Sequence, residues 1–306
     1  MAALRWMRQA LSLGVIAICF GCSGGGHPAG SQVGESNDPS EGELPTITFD
    51  SDRDGTLGVY VMLADGGGQR LISNSPSDGW KPSWSPNRAR IAYTSNQSGN
   101  PDIWVMAPDG TGLHQLTSSP ADDSQVTWSP DGGRLAFVSW RTGNAEIFTM
   151  SAEGGDPRQL TENEVEDWEP DWSPHSAEIA FSSDGGAGHA NIFVVSDDTG
   201  ELRRVTFTEA HDVCPAWSPD GARIAFCSER DGNWEVFVMA SDGSGQTQLT
   251  HTDGFNCEPQ WSPDGTRIVF ASDRDGDTEI WVMNADGGNP QQLTHNDADD
   301  QRPSWR

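Results

Sequence analysis

The tripeptide Trp-Ser-Pro recurs at an almost fixed period along this sequence, and that period limits the possible folds more than any other feature. The tripeptide begins at Trp84, Trp128, Trp172, Trp217 and Trp261, and one more tryptophan lies at Trp305. Successive tryptophans are 44, 44, 45, 44 and 44 residues apart. A self-similar period of this length is typical of proteins built from stacked structural repeats.

One repeat, read from Trp217, contains four short segments that alternate with turns. Its apolar runs are rich in Ile, Val, Phe and Trp, and Pro-Asp-Gly or Asp-Gly separates them. Such runs predict hairpin-linked strands, and none is long or periodic enough to predict a helix. Four antiparallel strands in about 44 residues are the composition of one propeller blade.

The two ends of the repetitive region complement each other. The first unit begins at Ile47-Thr48-Phe49, which matches Ile224-Ala225-Phe226, so it lacks the strand that carries the repeat tryptophan. Residues 303–306 supply such a strand with nothing after it. We therefore expect residues 45–306 to form an all-β, six-bladed β-propeller of four-stranded antiparallel blades. Its C-terminal strand would close the ring and leave no unpaired edge.

The order of the motifs within each unit resembles that of a known family. Trp-Ser-Pro-Asp-Gly, Ile-Ala-Phe, Ser-x-Arg-Asp-Gly, a strand ending in Met, and Gln-Leu-Thr follow one another. This pattern resembles the TolB-type propeller repeat, also called the WD40-like or PD40 repeat, and it covers residues 45–306. The resemblance implies a role in the cell envelope and a protein partner there, with a Pal-like lipoprotein as one candidate.

The N-terminal segment has the features of an export signal. Arg5 and Arg8 precede an apolar stretch of ten residues, 11–20, which is too short to span a membrane. Gly21-Cys22 then resembles the cleavage site of a bacterial lipoprotein, whose cysteine becomes lipidated. We expect residues 1–21 to be a lipoprotein signal and residues 22–44 to be a flexible tether, rich in Gly, Ser, Pro and Glu. An ordinary secretory signal cut nearby is the alternative.

These features predict an exported monomer, anchored by lipid to the outer membrane and facing the periplasm or the cell surface. The formal net charge is −28, which repels phosphate backbones and favours basic protein partners. The repetitive region, residues 45–306, contains no familiar catalytic motif such as Gly-x-Ser-x-Gly. We therefore expect a non-catalytic scaffold without a cofactor. The alternative is a carbohydrate-active or lactonase-like enzyme that uses acidic residues at the mouth of the channel.

A polar residue recurs five positions before the repeat tryptophan, at the start of the expected innermost strand. The series is Asp123, Asp167, Asp212, Asn256 and Asp300, with Gly79 at the same position in one blade. These oxygen ligands are expected to ring one mouth of the channel, where they would suit a hard cation such as Ca²⁺. In the other interpretation each Asp caps its own turn through a local backbone hydrogen bond. We favour this interpretation because a residue repeated from blade to blade usually serves the fold, and because Gly79 interrupts the ring of oxygen ligands.

Arginines and extra tryptophans are expected on the same face. The loop arginines are Arg53, Arg141, Arg230 and Arg274. We expect them to pair with acids of their own or a neighbouring blade, and an anion-binding site is the alternative. The tryptophans that the repeat does not explain are Trp80, Trp140, Trp168 and Trp234. They would form a partner-contact patch or pack between blades, and the sequence favours neither.

Three cysteines fall within the repetitive region, at Cys214, Cys227 and Cys257. The expected strand positions allow a disulfide between Cys214 and Cys227 or between Cys214 and Cys257, with one thiol left over.

Overall fold

The computed structural model describes residues 46–73, 79–185 and 188–306. Across these ranges the strands form six four-stranded antiparallel sheets, the blades of a β-propeller. The fold class predicted from the repeat is confirmed. No helix in the described part of the chain has the length and apolar character needed to span a membrane. The predicted signal and tether, including Cys22, lie outside the described residues.

The strands are named in chain order, and each blade contains four of them. Blade 1 contains β1 (Ile47–Ser51), β2 (Gly58–Met62), β3 (Arg70–Leu71) and the C-terminal strand β24. Blade 2 contains β4 (Gly79–Trp84), β5 (Ile91–Ser95), β6 (Asp102–Met106) and β7 (His114–Gln115). Blade 3 contains β8 (Asp123–Trp128), β9 (Arg134–Ser139), β10 (Glu146–Ser151) and β11 (Arg158–Gln159). Blade 4 contains β12 (Asp167–Trp172), β13 (Glu178–Ser183), β14 (Asn191–Ser196) and β15 (Leu202–Arg204). Blade 5 contains β16 (Asp212–Trp217), β17 (Arg223–Ser228), β18 (Glu235–Ala240) and β19 (Thr247–Gln248). Blade 6 contains β20 (Asn256–Trp261), β21 (Arg267–Ser272), β22 (Glu279–Asn284) and β23 (Gln291–Gln292), and β24 spans Asp300–Trp305.

The ring closes between its two ends, as the ends of the sequence predicted. Strand β24 pairs antiparallel with β1, with Trp305 opposite Ile47 and Asp300 opposite Ser51. The C-terminal strand is therefore the innermost strand of blade 1. Pairing of the two ends covers the edge that each would otherwise expose.

Ser-Pro-Asp-Gly builds the turn after the innermost strand in blades 3, 5 and 6. In blade 3, Ser129 Oγ donates to Asp131 Oδ1 at 2.6 Å and accepts the Arg134 N–H at 2.9 Å. Gly132 has a φ of +70°, a left-handed conformation that glycine adopts without steric cost. The same serine–aspartate contacts recur at Ser218 and Ser262. These repeated polar residues therefore serve the fold.

The apolar core lies between adjacent blades. Ile103 and Val105 of blade 2 pack with Phe137 of blade 3, and all three are buried. The repeat tryptophan takes part in this packing, since Trp128 Nε1 donates to the Ser83 carbonyl of the preceding blade at 3.1 Å. Arg90 of that blade stacks on the Trp128 ring at 4.8 Å. Truncating such a tryptophan to alanine would cost about 3–5 kcal/mol of stability.

Candidate functional site: the axial funnel

The innermost strands surround an axial cavity, which we call the funnel. It holds about 1100 Å³ of space, open solvent included. Its lining begins three residues before each repeat tryptophan and extends to the prolines that follow it in blades 4, 5 and 6 and to Arg306. We count positions from the repeat tryptophan of each strand, so that position −3 is the floor of the funnel.

Position −3 has the same unusual backbone in all six innermost strands of the described chain. The six residues have φ values of +49° to +58°, in the left-handed region that non-glycine residues seldom adopt. Each lies in a bulge, where the pairing with the next strand shifts register. We call this set the floor ring; it consists of Lys81, Gln125, Glu169, Cys214, Glu258 and Arg302.

The bulge turns the backbone N–H of each floor-ring residue toward the preceding blade. In four blades a second-strand side chain accepts it: Asp50 at 3.1 Å, Thr94 at 3.1 Å, Ser182 at 3.1 Å and the Cys227 sulfur at 3.1 Å. The remaining two blades have Val138 and Ala271 at that place, which cannot accept.

In those two blades a floor-ring side chain takes over the role of acceptor. Gln125 Oε1 accepts the Glu169 N–H at 2.7 Å, and Glu258 Oε2 accepts the Arg302 N–H at 2.7 Å. Every floor-ring N–H thus has an acceptor, which offsets the cost of the left-handed backbone.

The charges of the floor ring are paired. Lys81 Nζ lies 3.3 Å from Glu169 Oε1, a contact that joins blades 2 and 4. Arg302 lies 2.7 Å from Asp50 and 3.6 Å from Glu258. Burial alone would raise the pKa of Glu169, but Lys81, the Cys214 thiol and the Cys214 backbone N–H lower it overall. Burial raises the pKa of Asp50 to about 6, although Arg302 opposes the shift. The floor holds two cations and two glutamates and presents no unpaired charge.

Prolines stiffen the wall above the floor. Position −2 is proline in five of the six strands, at Pro82, Pro170, Pro215, Pro259 and Pro303. The prolines that follow the repeat tryptophan in blades 4, 5 and 6 extend the wall toward its open end. A wall of prolines loses little freedom when a ligand binds, which favours binding.

One carboxylate, Asp171 at position −1, stands apart in this wall. The other lining residues at that position are uncharged: Ser83, Thr127, Gln260 and Ser304. Asp171 Oδ2 accepts the Trp217 N–H at 2.7 Å. Burial raises the pKa of Asp171 to about 6, and Arg306 opposes this only in part. A carboxylate that is costly to ionise and faces a cavity is a candidate anchor for a ligand cation.

The structure differs from the predicted ring of acids at the channel mouth. Asp123, Asp167, Asp212, Asn256 and Asp300 are fully buried and do not line the funnel. A regular strand sends its side chains to the two faces of its sheet, which here pack against neighbouring blades. Side chains line the funnel only from the bulge onward, which begins two residues later. No carboxylate group in the described ranges gathers three ligand atoms as a Ca²⁺ site would.

The four loop arginines pair with these buried residues of their own blades. Arg141 Nη2 lies 3.0 Å from both oxygens of Asp123. The equivalent contacts are Arg230 to Asp212 at 2.8 Å, Arg53 to Asp300 at 2.5 Å and Arg274 to Asn256 at 2.6 Å. Their guanidinium groups also stack on aromatic rings of the same blade. This is the pairing that the sequence favoured over an anion site.

The four additional tryptophans do not share one environment. Trp168 is 5% exposed and Trp234 is 9% exposed, so both are packed inside the propeller. Trp80 and Trp140 are partly exposed and retain surface that a partner can contact.

The cysteines pair differently from both sequence expectations. The disulfide joins Cys227 of β17 to Cys257 of β20 and so links blades 5 and 6. Cys214 is the free cysteine of the described chain and belongs to the floor ring. Sequence reasoning overlooked the floor ring because its residue types vary from blade to blade. That variation within an otherwise regular repeat is the signal that could have revealed it.

Comparisons with known proteins agree with this architecture. The family model described as the TolB beta propeller domain matches residues 81–213 and 209–306. No curated protein sequence matches the chain significantly.

Among solved structures, TolB from Acinetobacter baumannii superposes with a TM-score of 0.75 at 23% identity, covering 85% of this chain. This chain spans 66% of the length of that protein. A protein assigned as TolB from Agrobacterium tumefaciens gives 0.68 at 24% identity, over 83% of this chain and 90% of the other. An oligogalacturonate lyase from Vibrio parahaemolyticus gives 0.55 at 13% identity, over 82% and 72%. At these identities the structural likenesses establish the fold alone.

Proposed function

The chain belongs to the TolB β-propeller family, and on that basis we propose that it is a non-catalytic binding protein whose funnel holds a segment of a partner protein. The observation that carries this proposal is the funnel itself. Its floor is charge-paired, its wall is proline-rich and stiff, and Asp171 is the carboxylate at position −1 of that wall. Such a cavity offers apolar contact and a few placed polar groups, as binding sites commonly do.

The charge of the chain indicates the chemistry of the partner. A net charge of −28 attracts basic surfaces over long range. Within the funnel, Asp171 is placed to receive one lysine or arginine side chain from the bound segment. We therefore propose a partner segment with at least one basic residue among apolar ones. From the features of the N-terminal sequence, we propose that this binding occurs in the cell envelope, with Cys22 as the lipid anchor.

The state of the funnel carboxylates supports binding over catalysis. A glycoside hydrolase needs one carboxyl group held protonated and a second one free to act on the substrate. Glu169 is engaged by Lys81, by Ser182 Oγ at 3.1 Å and by the Cys214 N–H at 2.9 Å. Glu258 is engaged by Arg302. The enzyme alternative would need a carboxyl pair that includes Asp171, and it predicts turnover of a sugar or lactone that is lost in Asp171→Asn.

Site-specific photocrosslinking in the producing cells tests the proposal. A photoreactive residue at Gln260, on the funnel wall, should crosslink to a discrete envelope protein. The same residue at exposed Thr111, away from the funnel, is the matched control and should not. The crosslink should weaken when Asp171→Asn is introduced. Equal crosslinking at both positions, or none from the funnel, would refute the proposal.

A further inference from the structure

Three cysteine sulfurs meet beside the funnel, where blade 5 packs against blade 6. Cys214 comes from β16, Cys227 from β17 and Cys257 from β20. All three sulfur atoms lie within 4.8 Å of one another, and Cys214 Sγ is 3.7 Å from Cys257 Sγ. Among the described residues, this is the group of three potential metal ligands whose donor atoms come this close.

The third sulfur contacts Glu169 and takes no part in the disulfide. The disulfide needs only Cys227 and Cys257. Cys214 occupies a floor-ring position that holds Lys, Gln, Glu or Arg in the other blades, so the backbone there does not require a cysteine. Because unrelated side chains occupy this position in the other blades, packing does not explain why a thiol lies against the disulfide. We therefore looked for a chemical role for the thiol.

We propose that, when the disulfide is reduced, Cys214, Cys227 and Cys257 form a three-thiolate site for a thiophilic metal ion, with Cu(I) as the best fit. Thiolates are the ligands that select Cu(I), and they also bind Zn²⁺. Structural Zn²⁺ sites almost always have four ligands, whereas this cluster offers three. A trigonal site with metal–sulfur bonds of about 2.3 Å has sulfurs about 4 Å apart. The 3.7 Å contact already lies near that separation.

The site exists in two redox states with different capacities. In the oxidised state Cys227 and Cys257 share a bond, and only the Cys214 thiol is available. A dithiol reductant transfers two electrons and two protons to the disulfide and is itself converted to a disulfide. Binding of Cu(I) to the three resulting thiols then releases three protons. Reduction thus opens the site, and oxidation closes it.

The surroundings of the cluster suit a buried thiolate site. The backbone N–H of Glu258 donates to Cys227 Sγ at 3.1 Å, the kind of outer contact that stabilises a metal-bound thiolate. Cys227 and Cys257 are buried, while Cys214 lines the funnel and gives an ion a route to the cluster.

The test is a competition for Cu(I) on the full chain with Cys19 and Cys22 replaced by serine. The chain is reduced with a dithiol without oxygen, freed of reductant, and titrated with Cu(I) against a chromogenic Cu(I) chelator. The reduced chain should retain one Cu(I) with three sulfur neighbours by X-ray absorption. Cys214→Ser, which keeps Cys227 and Cys257 but removes the third sulfur, should bind at least about 10-fold more weakly, since even the loss of an outer partner costs that much. His251→Ser, which removes an exposed ligand elsewhere, is the control and should bind normally.

Tryptophan fluorescence in the same samples shows whether the propeller is folded. If the reduced chain stays folded, retention of Cu(I) that is lost in Cys214→Ser supports the site. If the reduced chain unfolds, refolding on addition of Cu(I) that does not occur in Cys214→Ser supports it equally. Equal retention of Cu(I) by the reduced chain and by Cys214→Ser would overturn the proposal. So would Cu(I) bound to a chain whose fluorescence remains that of the unfolded protein. These outcomes are independent of whether the funnel binds a protein.

Discussion

Replacing Asp171 with asparagine should stabilise the protein at neutral pH, because the carboxylate is costly to ionise where it lies. Burial raises its pKa from 3.8 to about 6, so the native state holds the proton more tightly than the unfolded chain does. The unfolding free energy therefore decreases as the pH rises from about 4 to about 6 and stays reduced above that. Asparagine keeps the shape and can still accept the Trp217 N–H, but it carries no charge.

The size of the effect follows from the pKa shift. A change from 3.8 to about 6 corresponds to at most about 3 kcal/mol at pH 7. Because Asp171 is partly exposed to the funnel, solvent screening should reduce this to about 1–2 kcal/mol. Urea unfolding followed by tryptophan fluorescence at pH 4, 5, 6 and 7 measures it. The gain of Asp171→Asn should be near zero at pH 4 and largest at pH 7.

Asp264→Asn serves as a control of opposite sign. The contacts of Asp264 with Ser262 and Thr266 in an exposed turn lower its pKa to about 2, so its ionised form stabilises the fold. That contribution is present above the ordinary pKa and is lost as the pH falls toward 2, so the variant should be less stable at pH 7. The reasoning about Asp171 is wrong if Asp171→Asn lowers the free energy of unfolding at pH 7. It is also wrong if the variant raises that free energy by the same amount at pH 4 and at pH 7.

Three other predictions can be checked with the same protein. Arg141→Ala leaves buried Asp123 unpaired and should cost about 3–5 kcal/mol in urea unfolding, while Glu153→Ala, which removes an exposed pair and keeps Arg90 on the Trp128 ring, should cost under about 1 kcal/mol. Native Cys214 should react slowly with iodoacetamide, because burial raises the pKa of its thiol; labelling as fast as in urea would contradict this. Cys22→Ser should abolish incorporation of labelled palmitate in vivo, and unchanged labelling would contradict lipidation there.

The raised pKa of Asp171 also has a consequence for binding. A lysine or arginine that pairs with this carboxylate favours its ionised form and lowers its pKa. Binding of the proposed basic segment should then release protons near pH 5–6 and weaken as the pH falls below about 6. The ionised Asp171 carboxylate, which destabilises the free protein, thus contributes to binding once a cationic side chain pairs with it.

The disulfide and the bulges show why the site was harder to predict than the fold. The fold depends on patterns that recur within one repeat, such as the tryptophan period and the Ser-Asp-Gly turns. The pairing of Cys227 with Cys257 depends instead on how blade 5 packs against blade 6. Val138 and Ala271 leave two floor-ring N–H groups without their usual second-strand acceptor. Gln125 and Glu258, on the innermost strands of the preceding blades, accept those hydrogen bonds instead.

The sequence by itself determined the all-β class, the number of blades and the closure of the ring, because each rests on short patterns repeated at a constant period. It also indicated correctly that most recurring polar residues serve the fold, such as the arginine partners of Asp123 and Asp212. Only the tertiary structure decided which residues face the axis. A left-handed bulge at position −3 turns those side chains inward and leaves the acids at position −5 buried within their blades. The backbone N–H of each bulge is held by an acceptor from the preceding blade. The sequence of one repeat, read alone, therefore does not show which of its side chains face the axis.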